Sequence, residues 1–184
     1  MGADDAVRIG SIVTGPTVTH EFEEPVSGLR IVPVGYGHPD ATRLIEEVQA
    51  EYVARYGGPD ESPVDPLTFD PPHGTFLVGY VDGAPVATGA WRRRTDIEAL
   101  GTSVTAEIKR MYVVPSVRGA GHARAILAEL ERTAAEAGIE ALVLETGLRQ
   151  PEGIGLYTSS GYTPVPGFGY YRDSPLSRYF GKRL

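Results

Sequence analysis

The clearest chemical signal in this chain is the segment Val113-Val-Pro-Ser-Val-Arg118-Gly119-Ala120-Gly121-His122-Ala123-Arg124. An apolar, strand-like run ends there, a tight turn follows, and a long amphipathic stretch begins. Gly119 and Gly121 let the backbone curl and come close to a ligand. A helix starting at this turn would present unpaired N–H groups and a positive dipole end. Together these features suit an anion such as a pyrophosphate, with Arg118 and Arg124 adding charge at the edges. No Gly-Lys-Ser/Thr follows, so the turn is not a P-loop. The three-glycine spacing of the dinucleotide fingerprint is also absent. A plain glycine-rich joint between strand and helix is the competing reading of the same residues.

Other chemistries are excluded by composition. The 184 residues include no cysteine, which removes thiol nucleophiles, disulfides and Cys-ligated metals. The four histidines, His20, His38, His73 and His122, stand far apart without ligand spacing, so no metal is expected. The net charge is −7, which speaks against a general nucleic-acid binder. Charge is uneven: residues 1–91 carry 4 Arg/Lys against 14 Asp/Glu, and residues 92–184 carry 13 against 10. An anionic ligand is therefore expected at the second half. No apolar run approaches the roughly 18 residues of a membrane span. The acidic Met-Gly-Ala-Asp-Asp start lacks the basic and apolar regions of a signal peptide, so a cytoplasmic location without membrane partners is expected.

The elements that must position this turn can be read from periodicity. Residues 1–27 show no sustained period and read as an N-terminal extension, with one short strand around Val7–Val13. Leu29–Val34 reads as a strand. Asp40 can cap a helix that carries Leu44, Ile45, Val48 and Tyr52 on one face and stops at Gly57-Gly58. Residues 58–74, rich in proline, read as a loop. Thr75–Val81 and Pro85–Trp91 flank Asp82-Gly83, a hairpin with suitable turn residues. Ala106–Val114 is a strand, and 119–137 a helix with Ala123, Ile126, Leu127, Leu130, Ala134 and Ala137 on its apolar face, ended by Gly138. Ala141–Glu145 is a short central strand, Pro151 opens a short helix ended by Gly161, and strands near Tyr162–Tyr170 and Ser177–Leu184 close the chain. Strands precede a strand–helix–strand–helix–strand series, so one mixed α/β sheet is expected over 28–184.

Arg118-Gly119-Ala120-Gly121-His122-Ala123 resembles the Arg/Gln-x-x-Gly-x-Gly/Ala signature of the GNAT N-acetyltransferases. Ala106–Pro115 is similar to that superfamily's fourth strand, and Leu156-Tyr157-Thr-Ser-Ser-Gly161-Tyr162 to its final Leu-Tyr-x-x-x-Gly-Phe/Tyr motif. The three motifs occur in the family's order. The resemblance implies an α/β (α+β) GNAT fold: a mixed, mostly antiparallel twisted sheet, splayed between strands 4 and 5, with helices on both faces. It implies acetyl-CoA as co-substrate in the splay. Met111, Tyr112 and Val113 would pair with the pantetheine arm, and Arg118, Gly119, Ala120, Gly121, His122, Ala123 and Arg124 would hold the pyrophosphate. His122 occupies a variable position of the signature and reads more simply as a surface or ring-packing histidine.

The implied reaction is acetyl transfer to a primary amine of a small molecule or amino acid, by direct attack in a ternary complex. A peptide or protein amine is the alternative acceptor, and a non-catalytic acyl-CoA sensor the alternative class. A homodimer is left open. An amine of pKa near 10.4 is neutral in roughly one molecule in 2,500 at pH 7, a cost of about 4.6 kcal/mol. A base near the thioester would offset much of it. Glu107, at a position where many members resembling this pattern carry a glutamate, is the first candidate, and strand alternation puts it on one face with Met111 and Val113 if no bulge intervenes; a solvent-facing strand glutamate paired with Lys109 or Arg110 is the competing reading. Glu145 is a second base candidate. Tyr157 matches the family's usual proton donor to the leaving thiolate. Arg92-Arg93-Arg94 could bind an acceptor carboxylate but reads more simply as a solvated strand end, and Tyr162, Phe168, Tyr170 and Tyr171 could wall the acceptor pocket but read more simply as packing for the last strands.

Overall fold

A computed structural model of the chain describes residues 28–184. The extension and its expected strand at Val7–Val13 lie outside the described residues. Seven strands form one sheet in the order β1-β2-β3-β4-β5-β7-β6. They are β1 (Arg30–Pro33), β2 (Gly74–Val81), β3 (Ala84–Arg94), β4 (Thr105–Val113), β5 (Ala141–Gly147), β6 (Thr163–Pro164) and β7 (Ser177–Arg183). Every neighbouring pair is antiparallel except β4 and β5. The helices are α1 (Pro39–Tyr56), α2 (His122–Glu136) and α3 (Pro151–Ser159).

The two long helices take opposite faces of the sheet. Ala41, Leu44 and Val48 of α1 pack with Phe69, Phe76, Val78, Ala90 and Tyr112. Ile126, Leu127 and Leu130 of α2 are fully buried against Leu77, Ala87, Ile108 and Leu142. Each such aliphatic side chain contributes roughly 2 kcal/mol by leaving water. The close seating of α2 depends on Gly89, where a Cβ would lie 2.6 Å from Ile126 and 2.7 Å from the Met111 sulfur. The β2–β3 hairpin turns at Asp82 and Gly83, both with positive φ (49° and 79°), the twist-matched two-residue turn that Asp-Gly favours.

Several boundaries differ from the sequence reading. His38, not Asp40, caps α1: its Nδ1 accepts from the Asp40 N–H at 3.2 Å. Helix α2 begins at His122 rather than 119, because Gly119 and Gly121 both adopt φ of 85°. The strand expected over Tyr162–Tyr170 shrinks to two residues, since Pro164 and Pro166 lack an N–H donor and Gly167 and Gly169 weaken the extended preference.

Strands β4 and β5 govern the site. Their pairing runs from Thr105↔Ala141 to Ile108↔Leu144 and stops there, although both strands continue. Beyond that point the sheet splays. At the same place β4 bulges: Thr88 faces Tyr112 and Ala90 faces Lys109, so Gly89 opposes both Arg110 and Met111. Arg110 takes φ of 57°, rare for a residue with a side chain. The bulge overturns the expected alternation. Ala106, Ile108, Met111 and Val113 face α2, whereas Tyr112 packs on the α1 side. Glu107 and Lys109, alternating with Ile108, therefore share the α1 side, and Glu107 is not on the face of Met111 and Val113.

Candidate active site

The splay opens into a cleft of about 820 Å³. One wall is the exposed edge of β4, another the β4–α2 turn, a third the start of α3. Met111, Tyr112, Val113, Arg118, Gly119, Gly121, His122, Ala123 and Arg124 all line it, while Ala120, between the two glycines, does not. Tyr157 lines it from α3.

The turn leaves backbone donors of the kind that suit an anion. Helix α1 has a side-chain cap, but the N-terminus of α2 has none. A Cβ on Gly119 or Gly121 would meet nothing within 4 Å, so the backbone lies open to the cleft. The first backbone bond of the helix runs from Ala125 N–H to Gly121 O, which leaves the N–H groups of residues 122–124 without helical acceptors. His122 is buried, contrary to a surface reading, and its Nδ1 has no partner. Arg118 works differently from a direct anion ligand. Its Nε donates to Val113 O (2.8 Å), its Nη2 pairs with Glu51 (2.6 Å), and its guanidinium lies over the Tyr112 ring, so it ties the turn to β4 and α1. Arg124 donates to Ser159 and Ser160 and links α2 to the end of α3. Among the described residues, no group of three or more His, Asp or Glu could hold a metal ion.

A second, smaller compartment of about 210 Å³ adjoins the cleft. Lys109, Glu145 and Tyr171 line both spaces. Glu107, Arg92 and Arg94 line only the smaller one. Glu107 is held there by a pair of guanidiniums: its Oε2 accepts from Arg92 Nε (3.1 Å), Arg92 Nη2 (2.9 Å) and Arg94 Nη1. The register that places Arg92 opposite Glu107 makes this clamp. Arg92 and Arg94 are thus not solvated strand-end charges; only Arg93 points to solvent, bonding Pro72 O and Ala137 O.

Glu145 is in a different state. Burial pushes its carboxyl above the usual range, a push only partly offset by the Ser177 hydroxyl, which donates to Oε1 at 2.7 Å, and by Lys109. Tyr157 is 6% exposed, and burial, reinforced by Tyr52, pushes its phenol well above its ordinary value. Its ring packs edge-on to Tyr162 at 5.7 Å. Asp60, in the loop after α1, lies at 2.6 Å from Arg110 and 3.7 Å from Lys109. Burial opposes its charge, but Lys109, Ser62 and Arg110 outweigh that and hold it down at about 2. The Tyr171 hydroxyl accepts from Glu61 N–H at 2.8 Å, bridging the loop after α1 to the segment before β7 above the junction of the two spaces. Sequence reasoning offered Lys109 only as an ion-pair partner of Glu107, and missed Asp60 and this bridge. The Glu107/Lys109 spacing on one strand was the available signal; the loop partners carried none.

Comparison with known proteins agrees with this geometry. Residues 42–162 match the model of the acetyltransferase (GNAT) family. The chain is 34% identical over 142 residues to an IAA acetyltransferase of Azospirillum brasilense, covering 77% of this chain and 89% of that one. A Klebsiella pneumoniae structure assigned as an acyl-CoA N-acyltransferase superimposes with a TM-score of 0.69 at 28% identity, covering 86% of this chain and 99% of that one. A GNAT acetyltransferase from Elizabethkingia anophelis, solved with acetyl-CoA bound, shares the fold at 16% identity and a TM-score of 0.58, over 85% and 99% of the two chains. The splayed sheet, the uncapped turn and the matched family model together make this chain a member of the GNAT acetyltransferase family, and an acyltransferase.

Proposed function

We propose that the chain moves an acetyl group from acetyl-CoA to a primary amine of a small molecule, by direct attack in a ternary complex. The observation that carries this reading is the meeting of a long cleft and a small compartment at one wall formed by Lys109, Glu145 and Tyr171. The residues present fit the cofactor. The free edge of β4 at Met111, Tyr112 and Val113 offers backbone groups to its extended arm. The open glycines, with the amides of residues 122–124, suit its pyrophosphate. When bound, acetyl-CoA supplies an acetyl group activated as a thioester.

The chain's own groups divide the proton work. Glu145 takes a proton from the acceptor ammonium: it reaches both spaces, and its raised affinity for a proton narrows the gap to an amine. Glu107 suits this task less, because both guanidiniums already occupy its Oε2; we assign it to holding Arg92 and Arg94 in place. Tyr157 gives its hydroxyl proton or a hydrogen bond to the departing sulfur. Its raised pKa does not spoil the match, because burial disfavours a thiolate in the same cleft as it disfavours a phenolate. The Azospirillum relative, named for acetylation of IAA, is consistent with a small acceptor.

Thiol release from acetyl-CoA with a panel of small amines and lysine-containing peptides tests the reading. Release that needs a small amine and yields its N-acetyl product is expected. Release with peptides alone would turn the assignment to protein amines, and cofactor binding with no acceptor dependence would point to a sensor.

A further inference from the structure

The smaller compartment carries a charge pattern that bears on which amine it admits. Its ionisable lining consists of Arg92, Arg94 and Lys109 against Glu107 and Glu145, so cations outnumber carboxylates even with Glu145 charged. This excess sits in a protein of net charge −7. Glu107 absorbs the two guanidiniums, and Arg94 is also bound to Asp96 at 2.6 Å. Lys109 is the cation whose donors are least filled. Its side chain is 9% exposed, yet its ammonium makes one hydrogen bond among the described residues, to Ser62 Oγ at 3.0 Å. The nearest carboxylate oxygens, Asp60 Oδ2 and Glu107 Oε1, both stand at 3.7 Å, near enough to feel its charge but outside hydrogen-bond range; Asp60 Oδ2 is also taken by Arg110. An ammonium has three donors. Lys109 thus keeps unfilled donor capacity, almost buried, at the wall shared by the two spaces, beside the carboxylate assigned to deprotonate the amine.

We propose that the smaller compartment is the acceptor subsite and that Lys109 binds a carboxylate of the acceptor, so that the substrate is a small amino-acid-like molecule. This rests on the amine-acetylation reading above and narrows it. The two ends of such an acceptor meet complementary groups: the carboxylate meets the Lys109 ammonium, and the amino group meets Glu145. The volume of about 210 Å³ equals about seven waters, room for a small molecule and not for a folded protein surface. Tyr171, held by the Glu61 N–H, stands in the wall between the two spaces. Phe168 and Tyr170 supply apolar wall for the acceptor's side chain.

The test uses the full chain and three matched acceptors at a time: an L-amino acid, its carboxamide and its decarboxylated amine, in a leucine set and a phenylalanine set. For at least one set, kcat/KM for the amino acid should exceed that for the other two by 10-fold or more. Lys109→Met keeps the stem and removes the charge. It should erase this preference chiefly through KM, by about 10- to 100-fold, as expected for a lost charge-assisted hydrogen bond. Lys109→Arg should restore much of the preference. A second arm reads binding without turnover: calorimetry of N-acetyl-leucine and N-acetyl-phenylalanine with the CoA-loaded protein, parent against Lys109→Met, each checked by thermal melting. Binding that depends on Lys109 while no amine is acetylated would leave the subsite standing and sink the reaction. A parent that prefers the decarboxylated amines, or a Lys109→Met variant with unchanged preference and unchanged binding, would overturn the subsite.

Discussion

At the scale of residues, two glutamates 38 positions apart in sequence sit in opposite surroundings. Glu107 meets two guanidiniums, while Glu145 meets a hydroxyl, the charge of Lys109 and little water. Glu145→Gln should therefore lower kcat/KM by about 100- to 10,000-fold near neutral pH, the usual span for a lost general base. The parent's kcat/KM should rise with pH through the raised Glu145 value, and that limb should vanish in the variant. Glu107→Gln should instead give a smaller defect with the same fractional size at every pH, because it loosens Arg92 and Arg94 without removing the base. A pH-independent defect in Glu145→Gln, or a pH-dependent one in Glu107→Gln, would reverse the assignment. Stability gives a second reading of Glu145. A carboxyl whose folded pKa is raised contributes stability below its unfolded value near 4.5, and loses it as pH rises through the folded value. The melting temperature of Glu145→Gln should accordingly gain on the parent between pH 4 and pH 8; a constant difference would mean that Glu145 is not held against its charge. Tyr157→Phe keeps the edge-on packing on Tyr162 and removes the proton. It should lower kcat while leaving the cofactor Kd within about twofold, since the donor acts as charge develops on sulfur; a matching loss of cofactor affinity, seen by calorimetry, would make it a binding residue.

At the scale of elements, the sequence carried the helices, the hairpin and the glycine turn before α2, because each rests on local signals: apolar periodicity, Asp-Gly, and paired glycines before a helix. It could not carry the bulge at Arg110. Nothing in Lys109-Arg110-Met111 marks an extra residue; the bulge is a property of β4 against Gly89 of β3, and it moved Glu107 to the other face. The clamp of Arg92 and Arg94 on Glu107 was hidden for the same reason, since it exists only in the β3–β4 register. Asp60 came from a proline-rich loop that offered no periodicity at all, yet it fastens that loop to β4 through Arg110 and Lys109. Its pKa, held at about 2 against an ordinary 3.8, means stability that is present above pH 4 and lost as pH falls toward 2, on the order of 2 kcal/mol. Asp60→Asn should cost about 2 to 4 kcal/mol at pH 7, because it also strands two cations with little water around them. In urea unfolding, the gap to the parent should narrow as pH drops through that window. A gap that stays constant down to pH 2 would show that the cost comes from packing rather than charge.

At the scale of the whole molecule, the fold leaves a seam open. A sheet gains from pairing every inner strand, but β4 and β5 part after Ile108 and Leu144, and the β5-facing edge of residues 109–113 pairs with no strand among the described residues. The cleft at that seam is lined by three separate pieces of the chain: the turn before α2, the start of α3 and the loop after α1. A ligand that fills it should stabilise the native state as a whole, since the unfolded chain offers no such site. At 100 times its Kd, acetyl-CoA should add about 2.7 kcal/mol. For a domain of this size each kcal/mol shifts the midpoint by about 2–4 °C, so the melting temperature should rise by roughly 5–10 °C. The shift should weaken with added salt, because an anionic ligand is drawn to a helix N-terminus and to Arg124. Gly121→Asn separates cofactor binding from folding. Asparagine tolerates the left-handed conformation at this position better than other side chains, and its Cβ meets open space, so the free protein should melt within about 2 °C of the parent. Its side chain would stand where the backbone meets the pyrophosphate, and the ligand-induced rise should shrink to near zero. A variant that melts like the parent and is stabilised as much by acetyl-CoA would show that the turn does not hold the cofactor.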